Sequence, residues 1–150
     1  MSRIVILDAA PLGLLCGREG NPTAQACIAW LAGLLDGGAR VFLPEITDYE
    51  VRRELLRLRA TARLTRLDAV HLVTEYLPIS TDAMRRAAEL WAVARQTGQP
   101  TAGDDTIDAD MILVGQAQSL RVADAVIATT NVRHLARFFP AEVWSAIPAA

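Results

Sequence analysis

The chain has 150 residues and 16.2 kDa, a length that fits one domain with a single core, and a composition of 52% hydrophobic and 21% charged residues excludes a disordered chain. A net charge of −2 supplies no bulk attraction to nucleic acid, so any such binding needs a local patch. All 15 basic residues are arginine, which excludes every mechanism that requires a lysine; genomic base composition explains the bias more simply than selection for phosphate recognition.

Strand and helix patterns alternate along the chain. Residues 3–7 predict a short buried strand ending at Asp8, with no basic-then-apolar leader before it, so no secretion signal is expected. Asn21-Pro22 reads as the N-cap and first position of a helix that runs to about Asp36 and is stopped by Gly37-Gly38. Residues 41–43 are a second strand closed by Pro44. The spacing of Val51, Leu55 and Leu58 predicts a helix over about 46–59, followed by another over about 64–75. A brief strand over 77–79 precedes Ser80, the N-cap of a helix ending near Gly98, and residues 99–105 have the composition of a loop. A helix over 106–119 and a strand over 123–128 follow. Thr129-Thr130-Asn131 breaks that strand and opens a short helix, and 143–147 is the last strand.

Cys16 and Cys27 lie in apolar helical stretches and read as reduced core residues. No apolar run approaches the ~20 residues that span a bilayer. These features together lead us to expect a soluble, cytoplasmic protein whose residues 1–150 form one domain. The alternation means an α/β fold with a mainly parallel sheet and helices on both faces. Such sheets bind ligands beyond the carboxyl ends of their strands, which directs attention to the residues there.

Asp8 stands directly after the first strand, where it either caps the next helix or belongs to a site. Glu50 lies early in the helix after the second strand, and Glu54 shares its face one turn on. Each alone fits an exposed salt bridge. Asp110 enters Met-Ile-Leu-Val-Gly-Gln-Ala, a helix apolar on nearly all sides, where a carboxylate is costly without compensation. Asp104, Asp105 and Asp108 precede it; the first two suit a helix N-terminus, and Asp108 fits either role. Asn131 follows the fourth strand, where a turn using its tolerance of left-handed backbone fits as well as a functional role. Several acids converging on one point require a divalent cation, and oxygen ligands suit Mg²⁺ or Mn²⁺ rather than zinc. His71 and His134 are isolated and read as surface or core residues.

Leu7-Asp8, Tyr49-Glu50, Asp110 through Ala117 and Thr129 through Leu135 resemble, in order and over essentially the whole chain, the motifs of PIN domains, most of all VapC-type toxins of bacterial toxin–antitoxin pairs. The resemblance implies a PIN-like three-layer α/β/α fold with a mainly parallel central sheet. It also implies a metal-dependent endoribonuclease in which Asp8, Glu50 and Asp110 hold Mg²⁺ or Mn²⁺, with Asp108 as an added acid and Asn131 orienting a water. A small antitoxin protein is the implied partner, no membrane is involved, and homodimer assembly is left open. Two positions depart from the pattern: Asn131 replaces an acid found in many relatives, and Ala10 replaces a small polar residue. The amide oxygen of Asn131 can still coordinate or orient water.

RNA contact is assigned to Thr129, Arg52 and Arg53. The last two belong to an arginine-rich stretch with Arg57, Arg59, Arg63 and Arg66, in which Glu54 is the only acid; a solvated face or a surface for an acidic partner fits the same residues. A haloacid-dehalogenase-like phosphatase needs a second Asp where Ala10 stands and a later lysine, and a receiver domain also needs lysine. No Gly-rich loop follows the first strand, which disfavours nucleotide binding. The rival from another class is a catalytically inactive PIN-like module that binds RNA or a protein partner. RNA cleavage tested with Mg²⁺, Mn²⁺ or EDTA separates the two.

Overall fold

The computed structural model describes residues 3–97 and 104–149. β1 (Ile4–Leu7) occupies the centre of its sheet and is buried on both faces. Val5 and Leu7 enter one core layer and Ile4 and Ile6 the other, the period-two alternation of an extended strand. Around it the order is β3 (Glu75–Leu77), β2 (Arg40–Pro44), β1, β4 (Ala125–Thr129) and β5 (Ala141–Val143), with every neighbouring pair parallel.

One face is covered by α1 (Ala9–Leu15), α2 (Pro22–Asp36), α3 (Glu45–Arg57) and α4 (Thr61–Val73), through Leu12, Trp30, Leu55 and Leu67 among others. The other is covered by α5 (Thr81–Gln96), α6 (Asp104–Ser119) and the short α7 (Val132–Leu135), through Leu90, Leu113 and Leu135. The result is the three-layer α/β/α architecture expected from the alternation of elements. Among the described residues no helix is long and apolar enough to cross a membrane.

Several local features match their chemistry in the sequence. Asn21 Oδ1 accepts from the N–H groups of Thr23 and Ala24 (3.0 and 3.1 Å), and Ser80 Oγ accepts from Ala83 N–H (3.0 Å), so both act as N-caps. Cys16 and Cys27 are buried free thiols, and burial pushes them up to about 11 and about 12. α5 and α6 pack so closely that a Cβ at Gly115 would lie 2.5 Å from the Ala83 carbonyl oxygen.

Other expectations are corrected. The third strand is residues 75–77, not 77–79, because α4 stops at Val73 and pairing with β2 sets the register, Phe42 opposite Glu75. Arg40 and Glu75 reinforce it with a bidentate ion pair (2.9 and 2.7 Å) on this exposed edge. The last strand is residues 141–143. The expected last strand over 143–147 is instead largely the 3₁₀ turn Trp144–Ala146, since these residues are used for packing. Trp144 meets Trp30 edge-on at 5.5 Å, and Trp30 Nε1 donates to Ile147 O at 3.0 Å. α6 starts at Asp104, within the stretch expected as a loop; most of that stretch, and the expected helix end at Gly98, lie outside the described residues.

The chain steps from β1 to β2 to β3 on one side and then returns to place β4 against the other edge of β1. The switch point of the sheet is therefore the crevice between the carboxyl ends of β1 and β4, where Asp8 and Thr129 stand.

Candidate active site

Asp8 is 9% exposed and both of its carboxylate oxygens are held. Oδ1 accepts from Ala9 N–H at 2.7 Å, which makes Asp8 the N-cap of α1, and Oδ2 accepts from Thr129 Oγ1 at 2.7 Å. Capping and site membership, alternatives in the sequence, are thus compatible in one side chain. Burial raises the pKa of Asp8, partly offset by these two hydrogen bonds. The expectation that Thr129 touches substrate is corrected, because it is fully buried and its hydroxyl serves Asp8. The same oxygen accepts from Asn131 N–H at 2.9 Å, which shapes the turn after β4.

Glu50 sits half-buried on α3, with its pKa raised first by burial and then by the charge of Asp8, and lowered by Arg53. Asp110 on α6 is pushed up to about 7 by burial and by the charges of Asp8 and Glu50. Three carboxylates from β1's end, α3 and α6 thus share one electrostatic neighbourhood, each resisting ionisation. As the side chains stand, no group of three or more Asp, Glu, His or Cys among the described residues is close enough together to hold an ion. The donor chemistry nevertheless fits a hard divalent cation: all the candidate ligands are carboxylate oxygens, and no lysine or histidine neutralises them.

The sequence profile of the PIN domain matches residues 5–138. The chain belongs to the PIN domain family. A comparison with curated protein sequences finds no match. Solved structures with the same fold include VapBC2 from Rickettsia felis bound to a DNA fragment from their promoter (TM-score 0.70, 15% identity, 93% of this chain and 97% of that one). DNA-bound VapBC from Salmonella typhimurium is similar (TM-score 0.68, 18% identity, 96% and 99%). So is Mycobacterium tuberculosis VapC20, described as a sarcin–ricin loop cleaving toxin (TM-score 0.63, 13% identity, 90% and 95%).

Around the trio, this PIN domain arranges its other polar residues unevenly. Asp108 is exposed and borders a groove between α5 and α6 with Met84, Trp91 and Met111; it is not among the charges that act on the trio. Asp104 and Asp105 fall in the first turn of α6. Asn131 is exposed, precedes α7 and makes no side-chain capping bond; its φ of −111° rules out the left-handed turn reading. Glu54 is exposed and paired with Arg57.

The arginine-rich stretch is divided. Arg52 is committed to Asp48 (3.0 Å on both oxygens) and Asp68 (3.0 Å), and Asp48 also lies 2.6 Å from His71 Nε2. Burial opposes ionisation of Asp48, but the bonds from Arg52 and His71 hold its pKa below the usual value. Arg63 Nε and Arg66 Nη1 donate to the carbonyls of Cys16 (2.9 Å) and Gly17 (2.6 Å), tying α4 to the end of α1. Arg53 lies over the exposed Tyr49 ring at 5.0 Å, and its charge reaches Glu50. Two wholly buried polar residues, Thr47 and Gln116, escaped the sequence reading. The signal that could have found them is Pro44, which lacks both an N–H and a capping side chain.

Proposed function

We propose that the protein is a metal-dependent endoribonuclease that acts as the toxin of a toxin–antitoxin pair. The observation that carries this reading is the trio Asp8, Glu50 and Asp110, drawn from three elements, whose pKa values are all raised by burial, with the charge of Asp8 adding to the shifts of Glu50 and Asp110. Membership of the PIN family and a fold shared with VapBC assemblies and with a toxin described as cleaving the sarcin–ricin loop give the same direction. Asp8, Glu50 and Asp110 would hold Mg²⁺ or Mn²⁺. Bound there, such an ion would activate water for attack and neutralise charge on the phosphodiester oxygens.

The chain's own groups prepare this chemistry. Ala9 N–H and the Thr129 hydroxyl fix the Asp8 carboxylate in one orientation. Asp110, pushed up to about 7 by burial and by the charges of Asp8 and Glu50, would have to release its proton to hold a cation. Arg53 and the exposed Tyr49 offer a guanidinium and a ring face to a phosphate and a base. A small antitoxin protein would inhibit by placing an arginine among the carboxylates.

The test is incubation of the purified protein with mixed cellular RNAs in Mg²⁺, Mn²⁺ or EDTA, alongside Asp8→Asn and Asp110→Asn. Cleavage should require the metal and disappear in both variants while their folds persist. Cleavage that survives EDTA, or a variant with wild-type turnover at limiting metal, overturns the assignment. An intact RNA pool under every metal condition favours an interaction module that binds without cutting.

A further inference from the structure

Pro44 ends β2 and also stands as the N-cap of α3, and as proline it leaves two backbone groups of neighbouring elements without their usual partners. In the parallel ladder between β1 and β2, donors face β1 every second residue: Arg40 N–H donates to Arg3 O at 2.9 Å. The register, Ile4 opposite Arg40 through Ile6 opposite Phe42, brings residue 44 to the Leu7 carbonyl in the same way. Proline has no N–H to give there. The Leu7 carbonyl accepts instead from Thr47 Oγ1 at 2.8 Å. At the start of α3 Pro44 makes no side-chain cap, and Ile46 N–H donates to Gln116 Oε1 of α6 at 3.2 Å. The Gln116 amide is used a second time, donating from Nε2 to Leu77 O at the end of β3 at 2.7 Å.

We propose that Thr47 and Gln116 are further positioning residues of the carboxylate site, tying α3 with Glu50 to β1 with Asp8 and to α6 with Asp110, against the mutual repulsion of the three acids. The proposal rests on the metal-site reading given above. Its geometry is direct: Thr47 lies one helical turn before Glu50 and bonds the carbonyl of the residue preceding Asp8. Gln116 lies less than two turns after Asp110 and bonds the first turn of α3. Both side chains are wholly buried, so water does not compete for these bonds, and each is directional where apolar packing is not. Loss of the hydroxyl or the amide leaves a buried backbone group that is satisfied only if α3 shifts and admits water, and α3 carries Glu50 with it.

The experiment is titration of Mn²⁺ onto the full chain, followed by electron paramagnetic resonance, with thermal melts in parallel. Thr47→Val keeps the shape and removes the hydroxyl, and Gln116→Met removes the amide. Each should bind Mn²⁺ about ten- to a hundredfold more weakly while still melting cooperatively, and Thr47→Ser should stay within about threefold of wild type. Both variants binding as wild type, even if they melt lower, overturns the proposal. A Thr47→Ser protein as weak as Thr47→Val does the same. If Thr47→Val does not fold, Gln116→Met carries the comparison, because it leaves the β1–β2 ladder untouched. A wild-type protein that binds no Mn²⁺ overturns the metal reading and this role with it, an outcome plainly distinct from tight wild-type binding that the variants share.

Discussion

Glu50 and Glu54 show how one helical turn separates a candidate ligand from a surface residue. Both lie on α3, but Glu50 is half-buried and feels Asp8, whereas Glu54 is exposed and occupied by Arg57. Glu50→Ala should therefore abolish metal-dependent cleavage, and Glu54→Ala should leave it within about threefold of wild type, the scale of a screened surface pair. RNA cleavage assays on the two variants check this, and the reverse ranking moves the site one turn along the helix. Asp110 yields a stability prediction with a definite sign. Its folded pKa, about 7, lies above the ordinary 3.8, so its favourable contribution is complete below about pH 4 and is lost as pH rises through 7. The displacement corresponds to about 4 kcal/mol at most, and partial exposure of the carboxyl should reduce it to about half. Asp110→Asn should thus melt several degrees above wild type in EDTA at pH 8 and show no advantage at pH 4.

At the scale of elements, Gly115 and Gly13 make a matched pair. Both sit inside helices, where alanine ordinarily gains about 1 kcal/mol over glycine. A Cβ at Gly13 meets nothing within 4 Å, while one at Gly115 drives into the Ala83 backbone at 2.5 Å. Gly13→Ala should therefore stabilise by about 0.5–1 kcal/mol, whereas Gly115→Ala should destabilise by about 1–3 kcal/mol as α5 and α6 are forced apart. Urea unfolding of the two variants would show it, and a stabilised Gly115→Ala would mean that the helices separate at little cost. The elements also show what a single sequence does and does not disclose. β1 and α2 were legible because an unbroken apolar run and an Asn-Pro cap act locally. β3 and the end of the chain were not: β3 is an exposed edge whose limits come from pairing with β2, and Trp144 and Ile147 look strand-like but are recruited by Trp30 of α2. Of the candidate acids, Asp8 stood out by its place after a strand and Asp110 by its apolar helix, whereas Glu50 stood out only through the family resemblance. Thr129's true role was not legible, since nothing in Thr-Thr-Asn tells that its hydroxyl turns inward to Asp8.

For the molecule as a whole, the fold brings like charges together and relies on buried bonds and packing to keep them there. Without a cation, that arrangement loses stability as Asp110 ionises; under the proposed metal site, the same ionisation would favour binding. The two effects run in opposite directions with pH. A group titrating near 7 that must lose its proton for Mn²⁺ to bind makes the apparent affinity about tenfold stronger at pH 8 than at pH 6. At a fixed Mn²⁺ concentration about 100 times the dissociation constant at pH 8, binding to the folded state alone adds about 2.7 kcal/mol. About 1.4 kcal/mol of that should vanish at pH 6, following the tenfold loss of affinity. Melts in EDTA should instead rise as pH falls from 8 to 6, because protonated Asp110 relieves the trio. The EDTA and Mn²⁺ curves should therefore converge on acidification. Asp110→Asn should lose both trends, since its side chain neither ionises nor supplies a charged ligand. Parallel curves in wild type, with a constant gap across this range, would mean that any Mn²⁺ stabilisation comes from a site that does not include Asp110.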